Sequence, residues 1–461
     1  MTIIWSIIGF VLAMGVLVTI HEWGHYIVAK FFNIKVLTFS VGFGKPIFKK
    51  QWGETQYQLS MIPLGGYVKF LDERNEETIG ADDDLTRAFN RQSVYRRFAV
   101  VVAGPVVNLL FAWLVFSGLY FSGILGIKPL FDSVMPNSSL AESLPVADQK
   151  VWQVVQIDHS TPQTWQMVHQ QLLLAKLAGK SSVTMGVRPF SQHYAKIRQF
   201  KLSLAGMDIN KARQDWFKAL GFGVFQPKLA PIIGKVLKQS AAEKAGFQIG
   251  DRILSIAGKP TTSWSLFAEQ VRIHPGQTLQ IVYERHGHRQ QTLIKLGEAQ
   301  KAGKVIGVFG AALKVDKSEL APYQTVVSYP FTESVSQGLN HSVNLISMSL
   351  DMIQKMFQQE VSPTNLSGPI SIADYSGKAL EMGWGRFFAL LGLLSLSLGI
   401  LNLLPIPLLD GGHLMMYLIE IFRGVPVNES IELVAQKLGL MMIVGLTLFA
   451  FINDLVRISN D

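Results

Sequence analysis

The sequence predicts a polytopic α-helical membrane protein: four transmembrane helices, a small membrane-associated β-structure and a tandem of two extracytoplasmic α+β domains. Three observations support this class. Four long apolar stretches occur along the chain, and charged residues make up only 16% of its 461 residues, a low share for a soluble protein. Between the second and third stretches, one strand–helix–strand pattern occurs twice. The length indicates about three domains.

The composition excludes several kinds of chemistry. The chain has no cysteine, which rules out disulfides, thiolate zinc sites and cysteine nucleophiles. The net charge of +9 is spread without a Lys/Arg block or a nucleic-acid motif, so we interpret it as anchoring charge and expect no nucleic-acid partner. Residues 2–20 follow no basic region and precede no clear cleavage site, which predicts a retained span rather than a signal peptide.

The predicted segments follow one another as alternating membrane and water-exposed parts. In chain order they are span one with the H-E-x-x-H motif at 1–29, a cytoplasmic-side loop with membrane-associated β-hairpins at 30–97, span two at 98–127, two α+β domains at 128–220 and 221–310, an amphipathic helical segment at 322–386, span three at 387–409, a cytoplasmic loop at 410–432 and span four at 433–455. The loop from Lys30 to Arg97 contains eleven Lys/Arg, whereas residues 1–20 contain none. The positive-inside rule therefore predicts that this loop is cytoplasmic, and that both termini and the tandem domains lie outside.

The first span ends in His21-Glu22-Trp23-Gly24-His25. On a helix, positions i and i+4 share a face, so both imidazoles can reach one metal ion. Glu22 lies beside them, where its carboxylate can take a proton from an attacking water. This is the H-E-x-x-H pattern of zinc hydrolases. Ionisable groups at the edge of a bilayer are costly and indicate a functional site.

A catalytic zinc site needs a third protein ligand. The third span ends with Pro405 and Pro407, which stop the helix within the hydrophobic layer, and Asp410 follows at the expected depth of the two histidines. We predict that Asp410 is the third ligand. The alternatives are that Asp410 caps a helix over 413–422, or that His413 is the ligand instead.

Residues 35–71 do not have a helical pattern. Val36–Val41 and Thr55–Ser60 are predicted strands, with a turn at Gln51–Glu54. Non-helical backbone at membrane depth must be covered by protein or line a wet cavity, so this hairpin is expected near the metal site. The alternative is a cytosolic hairpin that only packs. The acidic stretch 72–84 is predicted to be an exposed loop.

The clearer copy of the repeated pattern begins at the strand Ile232-Ile233-Gly234-Lys235-Val236. A short helix at 240–247, a Gly250-Asp251 turn, Trp264 and a strand at 279–285 follow, an order that resembles a PDZ domain. The resemblance implies capture of an extended peptide by strand addition, with a groove at Ile232, Ile233 and Gly234. The alternative is a bulky cover without peptide binding.

The first copy is degraded. Val134, Pro136, Ser139, Ala141, Asp148 and Trp165 fall about a hundred residues before their counterparts, but Ala147 replaces the glycine of the turn. For this copy the alternative to peptide capture is that the domain acts only as a bulky cover. Two copies of this size indicate two independent domains rather than a solenoid.

A long amphipathic helix is predicted after Pro330. Its apolar residues recur at steps of three and four: Val335, Leu339, Val343, Ile346, Leu350, Ile353 and Phe357. Its polar residues make it unsuited to span a membrane. We expect its apolar face to pack on the second PDZ-like domain or to lie on the membrane surface, and His341 to be a surface residue.

Several motifs together resemble the site-2 protease family of intramembrane zinc metalloproteases. They are His21-Glu22-x-x-His25, Ala103-Gly104-Pro105-x-x-Asn108, Asn402-x-x-Pro405-x-Pro407-x-x-Asp410-Gly411, Gly42-Phe43-Gly44 and Pro63-Leu64-Gly65-Gly66-Tyr67, with the PDZ-like pair between spans two and three. The resemblance covers nearly the whole chain.

The resemblance implies one Zn²⁺ held by His21, His25 and Asp410, with Glu22 as general base. It also implies substrate-binding roles for Asn402, Gly42, Phe43, Gly44, Pro405 and Pro407. For Asn402 the alternative is a helix–helix hydrogen bond, and Gly104 and Asn108 are assigned to helix packing.

The implied substrates are single-span membrane proteins of a bacterial inner membrane. They include anti-sigma-factor-like proteins already cut once outside, which connects the family to envelope stress signalling, and remnants of signal peptides. The outer domains are expected to exclude substrates whose own outer domains are intact.

Two other functions remain open from the sequence. A non-catalytic PDZ scaffold would explain residues 128–310 but not the ionisable residues at one membrane depth. A metal or solute transporter is disfavoured because no inverted repeat of spans is visible.

Overall fold

The structure is a computed structural model that describes residues 2–74, 79, 84–144, 150–192, 194–209, 214–301, 304–362 and 367–459. Contacts divide the chain into two units. The membrane unit comprises Met1–Ile124 and Val327–Asp454, and the strand-rich unit comprises Leu125–Val326 with Leu455–Asp461. Each is described separately below.

Helices dominate the membrane unit and strands dominate the other. The helices are α1 (Thr2–Phe31), α2 (Val94–Ser122), α3 (Ser139–Ser143), α4 (Trp165–Leu177), α5 (Trp216–Leu220), α6 (Ala241–Lys244), α7 (Trp264–Arg272), α8 (Lys317–Leu320), α9 (Phe331–Phe357), α10 (Pro369–Glu381), α11 (Trp384–Leu403), α12 (Asp410–Arg423) and α13 (Glu429–Ser459). The strands are β1 (Val36–Trp52), β2 (Thr55–Phe70), β3 (Ile124–Ile127), β4 (Leu130–Val134), β5 (Trp152–Ile157), β6 (Ser182–Pro189), β7 (Arg198–Ser203), β8 (Phe222–Val224), β9 (Ile233–Val236), β10 (Arg252–Ile256), β11 (Lys259–Pro260), β12 (Thr278–Arg285), β13 (His288–Lys295), β14 (Gly297–Lys301), β15 (Lys304–Val308), β16 (Ala311–Leu313) and β17 (Gln324–Val327).

Each predicted span falls on a helix that is long and apolar enough to cross a membrane. Among the described residues these helices cover Ile3–Phe31, Val94–Ser122, Trp384–Leu403 and Ser430–Val456. Two predicted ends are wrong. The second span stops at Ser122, because Gly123 leaves the helix with a φ of 89° and the chain continues as β3, which pairs with β17. The third stops at Leu403, because Pro405 and Pro407 interrupt it earlier than the predicted end at 409.

The predicted hairpin is present and is longer than expected. The β1–β2 register shows that each strand folds back on itself, which gives four paired segments. Their order is 46–52, 55–60, 36–41 and 66–70, because residues 36–41 pair with 66–70 on one side and with 55–60 on the other. The pairs with 66–70 are antiparallel, whereas those with 55–60 advance together from Thr38–Gln56 to Val41–Leu59 and are parallel. Segments 46–52 and 66–70 are thus the two edges among the described strands. The sheet lies against α1, since Val68 and Phe70 pack with Val36 and Ala29 in one apolar cluster.

A glycine corner makes this folding possible. Gly42 and Gly44 have φ angles of 93° and 84°, a region that side chains with a Cβ rarely adopt. A Cβ on Gly42 would also lie 2.9 Å from the carbonyl oxygen of Ser60. Glycine is therefore required at positions 42 and 44 because the chain turns there between segments 36–41 and 46–52.

The strand-rich unit contains two separate apolar cores. The first lies under a five-stranded sheet in the order β7-β6-β5-β4-β8 and includes Phe131, Trp152 and Phe222. The second lies under a four-stranded sheet in the order β11-β10-β12-β13 and includes Ile253 and Phe267. Two cores agree with two domains along the sequence.

Both domain boundaries extend slightly beyond the predicted ones. The first sheet needs β8, which pairs with β4, and so continues past 220 to Val224. The second domain continues past 310 to Leu313, because β16 pairs with β9. The repeat itself is visible in the helices: α4 begins at Trp165 after the cap Thr164, and α7 begins at Trp264 after the cap Ser263. Ala147 and Asp148 of the degraded turn lie outside the described residues.

The amphipathic helix is present as α9, but it contacts α2 with a face that its apolar period did not predict. Within the membrane unit, α9 packs along α2: the Nε1 of Trp113 donates a hydrogen bond of 3.0 Å to the carbonyl of Val335. His341 is not a surface residue, because its ring packs edge-on against Phe116 and Tyr120. This contact uses a face other than the predicted stripe: Ser334, Gly338, Ser342 and Leu345 are buried, whereas Leu339, Val343 and Leu350 are 46–53% exposed. The environment of the apolar stripe therefore stays a prediction.

One buried carboxylate joins two distant helices of this unit. Asp454, near the end of α13, is 1% exposed. It accepts hydrogen bonds of 3.0 Å from the backbone N–H groups of Gly368, Ile370 and Ser371, and one of 2.6 Å from the Ser371 hydroxyl. These are the unpaired donors at the start of α10, so Asp454 caps that helix from outside it.

An ion-pair cluster holds the hairpin turn to the end of α1. Glu54 forms an ion pair with Lys30. It also accepts one hydrogen bond of 2.8 Å from each terminal nitrogen of Arg87. These hydrogen bonds, chiefly those from Arg87, lower the pKa of Glu54 from 4.5 to about 2. A lowered carboxyl pKa stabilises the fold above the ordinary pKa and loses this effect as the pH falls towards about 2.

We predict that Glu54→Gln loosens the hairpin at neutral pH by about 1 kcal/mol or less, since the cluster is partly solvated. In the parent protein, acidification from pH 6 to pH 3 should loosen the same segment, and the variant should lose this pH response. Hydrogen exchange of residues 36–70 measures both effects. Asp374→Asn removes an exposed ion pair with Lys378 and serves as the control. An unchanged pH response in Glu54→Gln would contradict the assignment.

Candidate metal centre

The two histidines of the motif lie on one face of α1, inside the membrane unit. Their Nε2 atoms are 3.3 Å apart, and the side chains are largely buried. The spacing i, i+4 of an α-helix produces this approach directly. The third metal-ligating side chain must come from another part of the chain.

Asp410 completes the cluster from the other end of the chain. Its Oδ2 lies 3.2 Å from Nε2 of His21 and 3.6 Å from Nε2 of His25. The loop that delivers it follows the end of α11 and bends sharply, since Leu408 has a φ of 86°, which is rare for a leucine. Among the described residues, His21, His25 and Asp410 are the group able to hold a metal ion.

The alternatives for Asp410 and His413 are not supported by the geometry. Helix α12 starts at Asp410 itself, its cap position is Leu409, and no side-chain capping bond forms. Asp410 Oδ2 is buried and has no hydrogen-bond partner within the described part of the chain. His413 points elsewhere, into a separate cavity of about 280 Å³ that is also lined by Arg97, Tyr417 and Glu420.

The spacing of the three atoms fits a tetrahedral zinc ion. Zinc–nitrogen and zinc–oxygen distances of about 2.0–2.2 Å place two ligand atoms about 3.4 Å apart around a tetrahedron. The measured separations are 3.2, 3.3 and 3.6 Å. A buried carboxylate oxygen without a hydrogen-bond donor also needs a cation. Two imidazoles and one carboxylate form a suitable set, which leaves the fourth position for water or substrate.

The outer nitrogens of both imidazoles have partners on α2. Nδ1 of His25 lies 2.9 Å from the carbonyl oxygen of Val100, and Nδ1 of His21 lies 3.0 Å from Nδ2 of Asn108. Such partners orient a ligating histidine so that the opposite nitrogen faces the metal.

Gly104 on α2 is required by the same two rings. A Cβ at this position would lie 2.3 Å from Nε2 of His25 and 2.9 Å from Cε1 of His21. The sequence interpretation assigned Gly104 and Asn108 to helix packing alone, and the structure places both against the candidate ligands. One signal was available: Asn108 is a polar residue within thirty uncharged ones, which is costly unless it has a function.

Glu22 lies between α1 and the β-sheet. Its side chain lies against the edge segment 66–70, close to the backbone of Gly66 and Val68. Gly66 is needed for this close approach, because a Cβ there would lie 2.6 Å from Cγ1 of Val18 and 3.2 Å from Cγ of Glu22. The carboxylate thus lies beside the histidine cluster and beside an exposed strand edge at once.

The predicted substrate-binding residues lie in three places. Asn402 reaches the cluster, with its Nδ2 3.3 Å from Nε2 of His21. Pro405 and Pro407 lie in the loop that delivers Asp410. Phe43 stacks on Tyr67 of the edge segment, with ring centroids 6.2 Å apart, next to the Gly42–Gly44 corner.

The predicted PDZ groove does not lie where the sequence placed it. Ile233 is fully buried, and its backbone N–H and carbonyl pair with Asp251 and Gly250. On its other side the same strand pairs with β16, and Ile232 accepts a hydrogen bond from Lys314. Strand addition needs a free edge, and residues 232–234 are paired along both.

The chain is similar to several known proteins over almost its whole length. The chain is 35% identical over 460 residues to the regulator of sigma E protease of Haemophilus influenzae, and 35% identical over 460 residues to the regulator of sigma-E protease RseP of Escherichia coli; each alignment covers 99% of this chain and 100% of the relative. A Vibrio cholerae relative whose assigned name is that of a zinc metalloprotease is 34% identical over 459 residues, which is 99% of each chain.

One solved structure was also similar to part of the chain. The PDZ domain of an SdrC-like protein from Listeria monocytogenes matches 21% of this chain and 95% of its own, with 23% identity and a TM-score of 0.17. A score this low supports no further argument.

The model of peptidase family M50 matches residues 9–446, which include the histidine pair, Glu22 and Asp410. Together with the relatives, which align over almost the whole chain, this match shows that the protein belongs to peptidase family M50 and is a metalloprotease.

Proposed function

We propose that this protein is a zinc endopeptidase that cleaves single-span membrane proteins within the membrane. The observation that supports this most strongly is the meeting of His21, His25 and Asp410 at tetrahedral spacing, with Glu22 adjacent, between helices apolar enough to span a bilayer. One zinc ion would be held by these three side chains. When bound, zinc polarises the scissile carbonyl and lowers the pKa of the attacking water.

Glu22 acts as the general base in this proposal. It accepts the proton of the attacking water and returns it to the leaving amine of the cleaved peptide bond. Its close approach to Gly66 and the backbone of Val68 keeps the side chain on the side of the cluster that faces the edge segment. The substrate backbone and the base are thereby brought to the same place.

The substrate must present an extended backbone. In a transmembrane helix every amide is hydrogen-bonded within the helix, so a peptide bond can be attacked only after local unwinding. Segment 66–70 is an edge, and its inner neighbour is 36–41. A substrate strand added there would regain the lost hydrogen bonds beside Glu22. Phe43, stacked on Tyr67, flanks this edge.

Asn402 is proposed to hold the substrate. Its amide lies 3.3 Å from Nε2 of His21, the nitrogen that would bind the metal. Ligation would use that lone pair and would leave the Asn402 N–H group free to donate to a substrate carbonyl. Pro405 and Pro407 would line the same approach by holding the loop after α11 open.

The wider biological setting rests on the family. The relatives are named as regulators of sigma E, so we propose that the substrates here include anti-sigma-factor-like proteins already trimmed outside, together with signal-peptide remnants. The chain would lie in a bacterial inner membrane, with the loop 30–97 cytoplasmic and the termini and PDZ-like domains periplasmic. Those domains would select trimmed substrates in envelope stress signalling.

We predict that Glu22→Gln lowers the rate of cleavage of a membrane-embedded model substrate by at least about 100-fold, the usual contribution of a general base. Zinc content should stay near one ion per chain, because Glu22 is not a ligand. The measurement is single-turnover cleavage in reconstituted vesicles together with metal analysis. Retained turnover would rule out the proposed base.

Removal of a ligand should have a different signature. His21→Ala and Asp410→Ala are each expected to lose both bound zinc and activity, whereas His413→Ala should keep its zinc. Metal analysis of the purified full-length variants tests this expectation. Full zinc occupancy in Asp410→Ala, or loss in His413→Ala, would show that the third ligand was wrongly assigned.

Strand addition can be tested by cross-linking, because the chain has no cysteine of its own. In a Glu22→Gln background that retains substrate, Lys69→Cys in the edge segment should form disulfides with a series of single-cysteine substrates. The yield should alternate every second substrate residue, the period of a strand. Lys49→Cys, in the opposite edge segment 46–52, is the control. Preferential cross-linking to Lys49→Cys, or a helical period, would contradict the proposal.

A further inference from the structure

Asn108 stands out as a buried polar residue to which the proposed chemistry assigns no task. It lies in the middle of α2 and is fully buried. Nδ2 of its side chain lies 3.0 Å from Nδ1 of His21, and Oδ1 has no hydrogen-bond partner within the described residues. A buried amide oxygen without a donor costs about 1–3 kcal/mol, so this arrangement needs an explanation.

The protonation of His25 offers a comparison. Its Nδ1 faces the carbonyl oxygen of Val100, which can only accept a hydrogen bond. Nδ1 of His25 therefore carries the proton, and Nε2 presents its lone pair to the cluster. This is the tautomer that a metal ligand requires.

His21 faces two amides that make conflicting demands. Nδ2 of Asn108 lies against Nδ1, and Nδ2 of Asn402 lies against Nε2. A neutral imidazole has one acceptor nitrogen and one N–H group, so it cannot accept from both amides. One of the two amides must therefore present its oxygen to His21.

Asn108, whose amide is fully buried, is the residue placed to present its oxygen to His21. The two ends of an asparagine amide have nearly the same shape, and hydrogen bonding decides which end faces a partner. If Oδ1 of Asn108 faces Nδ1 of His21, the proton is held on Nδ1 and the lone pair of Nε2 points towards Asp410 and His25. With Nδ2 in that position, the proton would move to Nε2 and block ligation.

We infer that Asn108 is a positioning residue whose Oδ1 accepts the Nδ1–H of His21 and thereby selects the metal-binding tautomer of that ring. This inference rests on the proposed function, since it assumes that His21 is a zinc ligand. The two histidines would then be oriented by the same rule, one by a backbone carbonyl and the other by a side-chain carbonyl, both from α2. Loss of such a partner typically costs 10- to 100-fold in metal affinity.

Two substitutions of nearly equal size separate this role from packing. Asn108→Asp keeps an acceptor oxygen and has no amide donor, whereas Asn108→Leu fills the space with neither. Apparent zinc affinity of the purified full-length protein, titrated in zinc buffers, should fall about 10- to 100-fold in Asn108→Leu and stay within a few-fold of the parent in Asn108→Asp. The visible absorption spectrum of the Co²⁺-substituted protein should change in Asn108→Leu and not in Asn108→Asp.

Ser395→Ala provides a matched control, because the Ser395 hydroxyl donates a 2.9 Å hydrogen bond to the backbone carbonyl of Asn108 without touching its amide. Its zinc affinity and Co²⁺ spectrum should equal those of the parent. Parent-like zinc affinity and spectrum in Asn108→Leu would overturn the inference, as would equal losses in Asn108→Leu and Asn108→Asp. A parent protein without zinc, or zinc retained in His21→Ala, would overturn the proposed function and this inference with it.

Discussion

The arrangement of the membrane unit depends on one buried carboxylate. Asp410 lies between two imidazoles, and its Oδ2 accepts no hydrogen bond from any residue that the structure describes. The neighbouring helices are apolar enough to cross a bilayer. A charge of this kind is tolerated in an apolar environment only if it is paired or coordinates a metal. The need to compensate Asp410 therefore brings the start of α12 to α1, although 385 residues separate it from His25.

Helix α2 provides most of what keeps this meeting point in place. It contacts α1 closely at Gly104, offers the Val100 carbonyl and the Asn108 amide to the histidines, and packs against α9 on another side. It also contacts α11, through the hydrogen bond between Ser395 and the Asn108 carbonyl. Because one helix touches the ligand helix, the helix that precedes Asp410 and the amphipathic helix, a shift of α2 would be felt at the candidate metal centre.

The β-sheet provides a backbone edge beside Glu22. Its glycine corner folds β1 back on itself, and the ion pairs of Glu54 hold its turn to the end of α1. The result is that segment 66–70 stays against Glu22 while one of its sides is unpaired by any described strand. In a membrane such an edge is stable only if something completes it, which supports the proposed addition of a substrate strand.

Local features were predictable from the sequence, because local physics decides them. The spans, the hairpin and its turn, the stop at Pro405 and the shared face of His21 and His25 all follow from hydropathy, from strand and turn chemistry, and from helical spacing. The helix α9 was also correct, but its apolar period did not predict the face that contacts α2, where Gly338 and Ser342 are buried while Leu339 stays exposed. The groove assigned to Ile232–Gly234 was misplaced for a similar reason: a strand pattern does not show which edges are paired.

By itself, the sequence determined the helices, the two histidines and the carboxylates able to join them. Only the tertiary structure decided that Asp410 rather than His413 meets them, that Gly104 and Asn108 lie against the imidazoles, and that the strand edge 66–70 adjoins Glu22. These are contacts between residues tens to hundreds of positions apart. They depend on how the faces of several helices and one sheet fit together, and no spacing along a single segment encodes that fit.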